Sequence, residues 1–387
     1  MTEENGVTIQ FGTPRSPRYD SLTVWRGIAC LLVIVYHSTR GPVHGTSGFT
    51  AVTFAILGKC WVGVPLFFVI SGYCVTACAD ALRWRHGSAK HFLWRRFRRI
   101  YPPYWAAFAI MACLACLAGA FPSAGYFDAL MIPHPQGLRQ WQWLGNLSLT
   151  ETWRWHLTGG IEGELLPPSW TLCYEEQFYF LVGLVLIVTR RFFFLALGFL
   201  TLIVAILFLF PCPGLYTEGL FLDGQWLMFA SGILVYYVSN YVRVRRWIWF
   251  SLPLVIGILN AAADPRQLRQ PLNQSYLAAF SFALLLLSLK PWDYYTRART
   301  ILSPLRSCGE MCYSLYLVHW PVVQVLGHAL ESFGTTTSLT ILLIRIPACV
   351  GATILVGSVF HRLVERKFWN PGIIRSEPKT NEDGKNL

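Results

Sequence analysis

The sequence predicts an all-helical membrane protein, a polytopic bundle of about ten transmembrane helices with both termini in the cytoplasm. Three observations predict it. A chain of 387 residues that is 54% hydrophobic and 13% charged, with a mean hydropathy of +0.43, has too few charges to cover a water-soluble globule of that size, so lipid must supply most of its surroundings. Apolar runs near the roughly 20 residues needed to cross about 30 Å of hydrocarbon recur along the whole chain. With the amino terminus inside, 25 of the 32 Lys and Arg fall on the cytoplasmic side of those runs, the bias that sets membrane orientation.

Taken in order, residues 1–20 are polar and Pro-containing, lack the apolar core and cleavage site of a signal peptide, and read as a flexible cytoplasmic tail. Spans are expected at 21–39, 61–79, 101–120, 172–189, 192–210, 224–242, 247–263, 271–289, 310–330 and 338–360, with a second cytoplasmic tail over 361–387. No linker or repeat divides them, so 21–360 reads as one transmembrane domain. Its single long connection, 121–171, is placed outside the cytoplasm and holds Trp141, Trp143, Trp153, Trp155 and Trp170 with Asp128, Glu151, Glu162, Glu164, His134 and His156. It is too aromatic for disorder, and suits either an interfacial belt or a stacking surface for sugar rings. The 11 Cys are scattered, mostly within spans, and lack the spacing of a disulfide framework. Cys113 and Cys116, in an uncharged apolar span, make a poor metal or redox site. The net charge of +12 follows from topology and attraction to anionic lipid, and requires no nucleic acid.

Six spans carry no charge; the exceptions hold Arg26 and His37, Glu175 and Glu176, His319 and His328, and Arg345. Ionisable groups in a bilayer normally face a cavity or a partner, which makes each a candidate functional residue. Eleven helical steps of about 100° bring His37 back to within about 20° of Arg26, about 16 Å away in depth. That spacing suits a cation near the cytoplasmic entrance and an imidazole base toward the opposite side; it suits equally a snorkelling Arg and a helix-end His. Glu175 is expected at the level of His37, where it could orient the imidazole or bind a hydroxyl, while Glu176 points about 100° away, so at most one of the two faces the same cavity. Arg95, Arg96, Arg98 and Arg99 suit a phosphorylated cytosolic ligand, with lipid phosphate as the competing partner. His319 and Arg345 are candidates that packing could also explain.

Together these motifs resemble the membrane-bound acyltransferase-3 family, which includes O-antigen and other envelope-polysaccharide O-acetylases. The resemblance rests on Arg26 with His37, GVPLFFVISG (63–72), RRFRRIYPPYW (95–105), WTLCYEEQFY (170–179), CYSLYLVH ending at His319, and VERKF around Glu365. Departures are small: Thr171 and Cys312 stand where Ser is usual, and Pro65 where Asp is common. The resemblance implies a bacterial inner-membrane enzyme that moves an acyl group, acetyl above all, from cytosolic acyl-CoA to a hydroxyl of a lipid-linked or soluble carbohydrate, with acyl-CoA as co-substrate and no bound cofactor or metal. It implies His37 as general base oriented by Glu175, and Arg26, Arg95, Arg96, Arg98 and Arg99 as ligands of the CoA phosphates. Trp170, Tyr179, His319 and Arg345 are then acceptor-site candidates. Larger members carry a further extracytoplasmic hydrolase-like domain, so direct transfer or a separate partner protein is expected here. A macrolide or lipid acceptor is the alternative within the enzyme class. A transporter is the alternative outside it, disfavoured by the lack of inverted repeats and paired broken helices.

Overall fold

The computed structural model describes residues 8–9, 14, 18–41, 43–45, 48–119, 135–160, 163–243, 271–297 and 299–368. Its long helices are α1 (Leu22–Ser38), α3 (Gly63–Trp84), α4 (Ala89–Gly119), α7 (Trp170–Val188), α8 (Phe193–Leu209), α9 (Trp226–Tyr241), α10 (Pro271–Leu289), α12 (Cys312–Ser332) and α13 (Ile346–Phe360). Between them lie α2 (Gly48–Leu57), α5 (Gln140–Ser148), α6 (Glu151–Thr158) and α11 (Ser303–Glu310). Every expected span thus has its helix except 247–263, which lies outside the described residues, as do Asp128, His134, Glu162, 1–7 and 369–387. Apart from an antiparallel pairing of Thr8–Ile9 with Val242–Arg243, the regular structure described is helical. Among the described residues, five stretches are long and apolar enough to cross a membrane: Gly48–Trp84, Ala89–Leu117, Pro167–Val188, Gln274–Tyr295 and Ser338–Phe368.

Exposed side chains locate the lipid. On α8, Leu195, Phe199, Leu202, Ile206 and Leu209 are exposed and recur at helical spacing, while the polar Asp80, Glu151, His319 and Glu365 are buried. An apolar outside around polar groups is what a hydrocarbon surround selects.

Side-chain contacts fix several helix directions. Cys30 and His37 of α1 lie beside Cys312 and His319 of α12, so these two run parallel, whereas Ser358 of α13 meets Met311 and Arg345 reaches Arg40, so α13 runs back. α3 and α9 run parallel, in contact at Val69 with Gly232 and at Asp80 with Tyr236 and Tyr241. A Cβ on Gly72 or Gly232 would overlap the opposite backbone, so these glycines set how closely the two helices approach.

The structure alters one expectation. α4 begins at Ala89, well before the expected 101, and the basic cluster is helical instead of part of a loop. The cause is an aromatic row, Trp94, Phe97, Tyr101 and Trp105, stacked along the helix at three- and four-residue spacing, which extends the helix past its apolar run. Pro102 and Pro103 inside it lack N–H groups and so free the carbonyls of Arg98 and Arg99. Within the 121–171 connection, the described α5 packs on α4. Tyr101, Tyr104 and Trp105 of α4 donate to the carbonyls of Ser148, Asn146 and Leu147 at 3.0, 2.8 and 2.9 Å. These carbonyls lie in the last turn of α5, where helical N–H partners run out.

Each end of α1 is held from elsewhere. At its start, Asp293 accepts the Asp20 and Ser21 N–H groups at 2.8 Å each, capping the helix from the opposite end of the sequence. Beyond its far end, His44 pairs with the segment before α13 through Thr336 O and Ser338 N–H at 2.9 and 3.0 Å.

Candidate active site

A cavity of about 90 Å³ opens among α1, α3, α4, α7 and α12, several times what one buried water needs. Arg26, Ser71, Arg99, Glu175, Tyr179, Cys312, Tyr313 and Tyr316 line it. Glu175 accepts hydrogen bonds from Ser71 Oγ at 2.6 Å and from the Tyr179 hydroxyl, so its carboxylate is fixed by α3 and by its own helix. Arg26 stands within electrostatic reach of Glu175 and Tyr179. Neither Arg26 nor Arg99 makes a side-chain hydrogen bond or ion pair among the described residues. Two guanidinium groups facing one carboxylate in a half-buried cavity leave an excess positive charge, and that selects an anionic guest.

The expected Arg cluster divides. Arg99 lines the cavity, Arg96 lies over the Tyr179 and Phe92 rings at 5.0 and 5.5 Å, and Arg98 is exposed on the opposite side of α4. Arg95, half-buried, is not part of the lining. As expected of adjacent carboxylates, only Glu175 of the pair enters the cavity; Glu176 stands by Tyr101 and Arg96.

The structure does not bring Glu175 to His37. No hydrogen bond joins them, and no carboxylate among the described residues is bonded to the His37 ring. That ring instead meets His319 and Trp320, at centroid separations of 5.3 and 5.1 Å, with Tyr36 alongside. The physical reason is depth: α7 places Glu175 beside Ser71 and Arg26, whereas His37 lies eleven residues along α1 toward its other end.

The remaining candidates also separate. Trp170 starts α7 and packs edge-on against Phe68 and Tyr174. Tyr179 lines the same cavity as Arg26. Arg345 ends a π-helical turn, Ile341–Arg345, and bonds Glu331 and the Arg40 carbonyl, which ties the end of α1 to the last helix. Glu365 closes the matching turn His361–Glu365, accepting the Ser314 N–H at 3.2 Å, the Ser314 hydroxyl, and His361 Nδ1 at 2.9 Å. It thereby caps α12 at its dipole-positive end. Ser71, Tyr313 and Tyr316 were not singled out from the sequence. The available signal was the three-residue spacing of Tyr313, Tyr316 and His319, which places all three on one side of α12. Tyr316 bonds Thr171 Oγ1 and the Pro168 carbonyl at 2.6 and 2.7 Å and packs on His319 at 5.4 Å. It is the physical link between the cavity and the imidazole pair.

An acyltransferase-domain profile matches residues 19–362, which takes in every helix described above from α1 to α13. The chain belongs to the acyltransferase-3 family. This acyltransferase is 25% identical over 329 residues, 81% of its own length and 90% of the relative's, to exopolysaccharide production protein ExoZ of Rhizobium meliloti (strain 1021). No solved structure matches it. The family assignment and the apolar helices make the protein a membrane acyltransferase.

Proposed function

We propose that this acyltransferase is a ten-span protein of a bacterial inner membrane, with both termini cytoplasmic, that transfers acetyl from acetyl-CoA to a hydroxyl of an exported carbohydrate. One observation carries the donor assignment: Arg26 and Arg99 present uncommitted guanidinium groups to the same cavity, and forked cations there suit the phosphates of a CoA donor. The directions of α1, α3 and α4 support the sidedness, because they place the start of α1 and the basic half of α4 at one end of the bundle. The name of the Rhizobium relative supports a polysaccharide acceptor.

In this reading the donor enters beside Arg26, and its thioester extends along the Tyr313–Tyr316 side of α12 toward His37. His37 removes the proton from the acceptor hydroxyl as oxygen attacks the thioester carbonyl; the acyl–sulfur bond breaks and the proton passes to the departing CoA thiolate. Glu175, bonded to Ser71 and Tyr179, orders the cavity floor and balances one of the two guanidinium charges. Purified protein with radiolabelled acetyl-CoA and envelope glycan should place label on the glycan, and His37→Ala should abolish it. Undiminished transfer in that variant would remove His37 as the base.

A further inference from the structure

His319 is fully buried, and its Nδ1 lies 2.5 Å from the carbonyl oxygen of Tyr316 on its own helix. A carbonyl only accepts, so Nδ1 carries the hydrogen and Nε2 of the neutral ring is a bare lone pair. That Nε2 is buried without a hydrogen-bond partner, as is the indole Nε1 of the next residue, Trp320. Buried acceptors are nearly always satisfied, and an exception calls for a role. The ionisable ring beside it is His37, 5.3 Å away between centroids, whose own nitrogens have no partner among the described residues. Arg40 acts on His37 from the α1 side, Glu164 and Glu175 lie within electrostatic reach of Tyr316, and the Arg345–Glu331 ion pair, which His328 also joins, stands farther along α12. Glu331 is already held by Arg345, and none of these carboxylates is bonded to the His37 ring.

We infer that His319 is the proton-sharing partner of His37, a positioning residue whose Nε2 lone pair does for the base what a carboxylate does in a Ser-His-Asp triad. The inference rests on His37 being the base of acyl transfer. As the acyl–oxygen bond forms and the acyl–sulfur bond breaks, the hydroxyl proton moves to one nitrogen of His37. The hydrogen on the other His37 nitrogen is shared with Nε2 of His319, so the positive charge spreads over two rings, with the Tyr316 carbonyl behind the second. Return of the proton to the CoA thiolate restores both neutral rings. A two-imidazole arrangement needs no buried anion next to Arg40, and it accounts for the absence of Glu175 from this end of the site.

Two substitutions separate this role from packing. His319→Asn retains an N–H for the Tyr316 carbonyl and deletes Nε2; His319→Gln sets an amide oxygen near the place of Nε2. In the full-length purified protein, His319→Asn should lower kcat roughly 100-fold while leaving the KM for acetyl-CoA within about twofold and the melting temperature close to wild type. His319→Gln should recover about tenfold of that loss. Full kcat in His319→Asn, equal losses in the two folded variants, or loss of folding in both would overturn the inference. Persisting activity in His37→Ala would overturn the assignment beneath it, whereas a dead His37→Ala beside a fully active His319→Asn refutes the pairing alone.

Discussion

Arg26 and Arg99 line one cavity with a single carboxylate between them, an arrangement that is costly until an anion joins it. Removing either cation should therefore weaken the donor more than it disturbs the fold. Arg26→Ala and Arg99→Ala should each raise the Kd for acetyl-CoA about ten- to hundredfold, or ~1.5–3 kcal/mol for a charge-assisted contact, and Arg26→Lys should recover only part of it because the fork is lost. Equilibrium binding of labelled acetyl-CoA measures this, and unchanged affinity in both alanine variants refutes the phosphate assignment. The sequence made Arg26 and His37 legible because both lie on one helix, where spacing alone fixes the angle between them. It left the cross-helix partners illegible: whether Glu175 meets His37 or Ser71 depends on the relative depth of α7 and α3, which no spacing within either helix encodes.

At the scale of elements, the long apolar runs announced their helices and the embedded pieces did not. α5 and α6 are short and rich in Trp, and their place in the bundle depends on aromatic donors of α4 that look like interfacial residues in sequence. α2 is equally inconspicuous, a short apolar helix with Phe49 81% exposed, shorter than any span. The turn Phe221–Asp223 between α8 and α9 offers a test of a buried polar element. Burial raises the Asp223 carboxyl to about 6, against hydrogen bonds from Tyr174 and from the Gln225 and Gly219 N–H groups. Because this folded value lies above the ordinary ~3.9, protonation favours the folded state. Its stabilisation is complete below about pH 4 and is lost as pH rises through about 6, up to about 2 kcal/mol once solvent screening is allowed for. The melting temperature in detergent should therefore fall between pH 4 and 6 relative to Asp223→Asn, which keeps one of the two acceptor oxygens and does not titrate in this range; a pH-independent difference would clear Asp223 of the effect.

For the molecule as a whole, charge bias and helix direction agree, since the basic half of α4 and the start of α1 share one end. Cys212, exposed in the connection between α8 and α9, belongs to the other. A membrane-impermeant thiol reagent applied outside intact spheroplasts should label the protein, and Cys212→Ser should remove that label; labelling of Cys212 only after lysis would invert the topology. The bundle was legible from composition alone, but its closure was not. Asp293 caps α1 from the far part of the chain, and Arg345 holds the carbonyl of Arg40. Both ends of α1 are thus fastened by segments that lie far along the chain, and Arg26 shares its cavity with Tyr316 from a helix nearly three hundred residues later. A chain that stops before α12 therefore lacks one wall of the cavity, Cys312, Tyr313 and Tyr316.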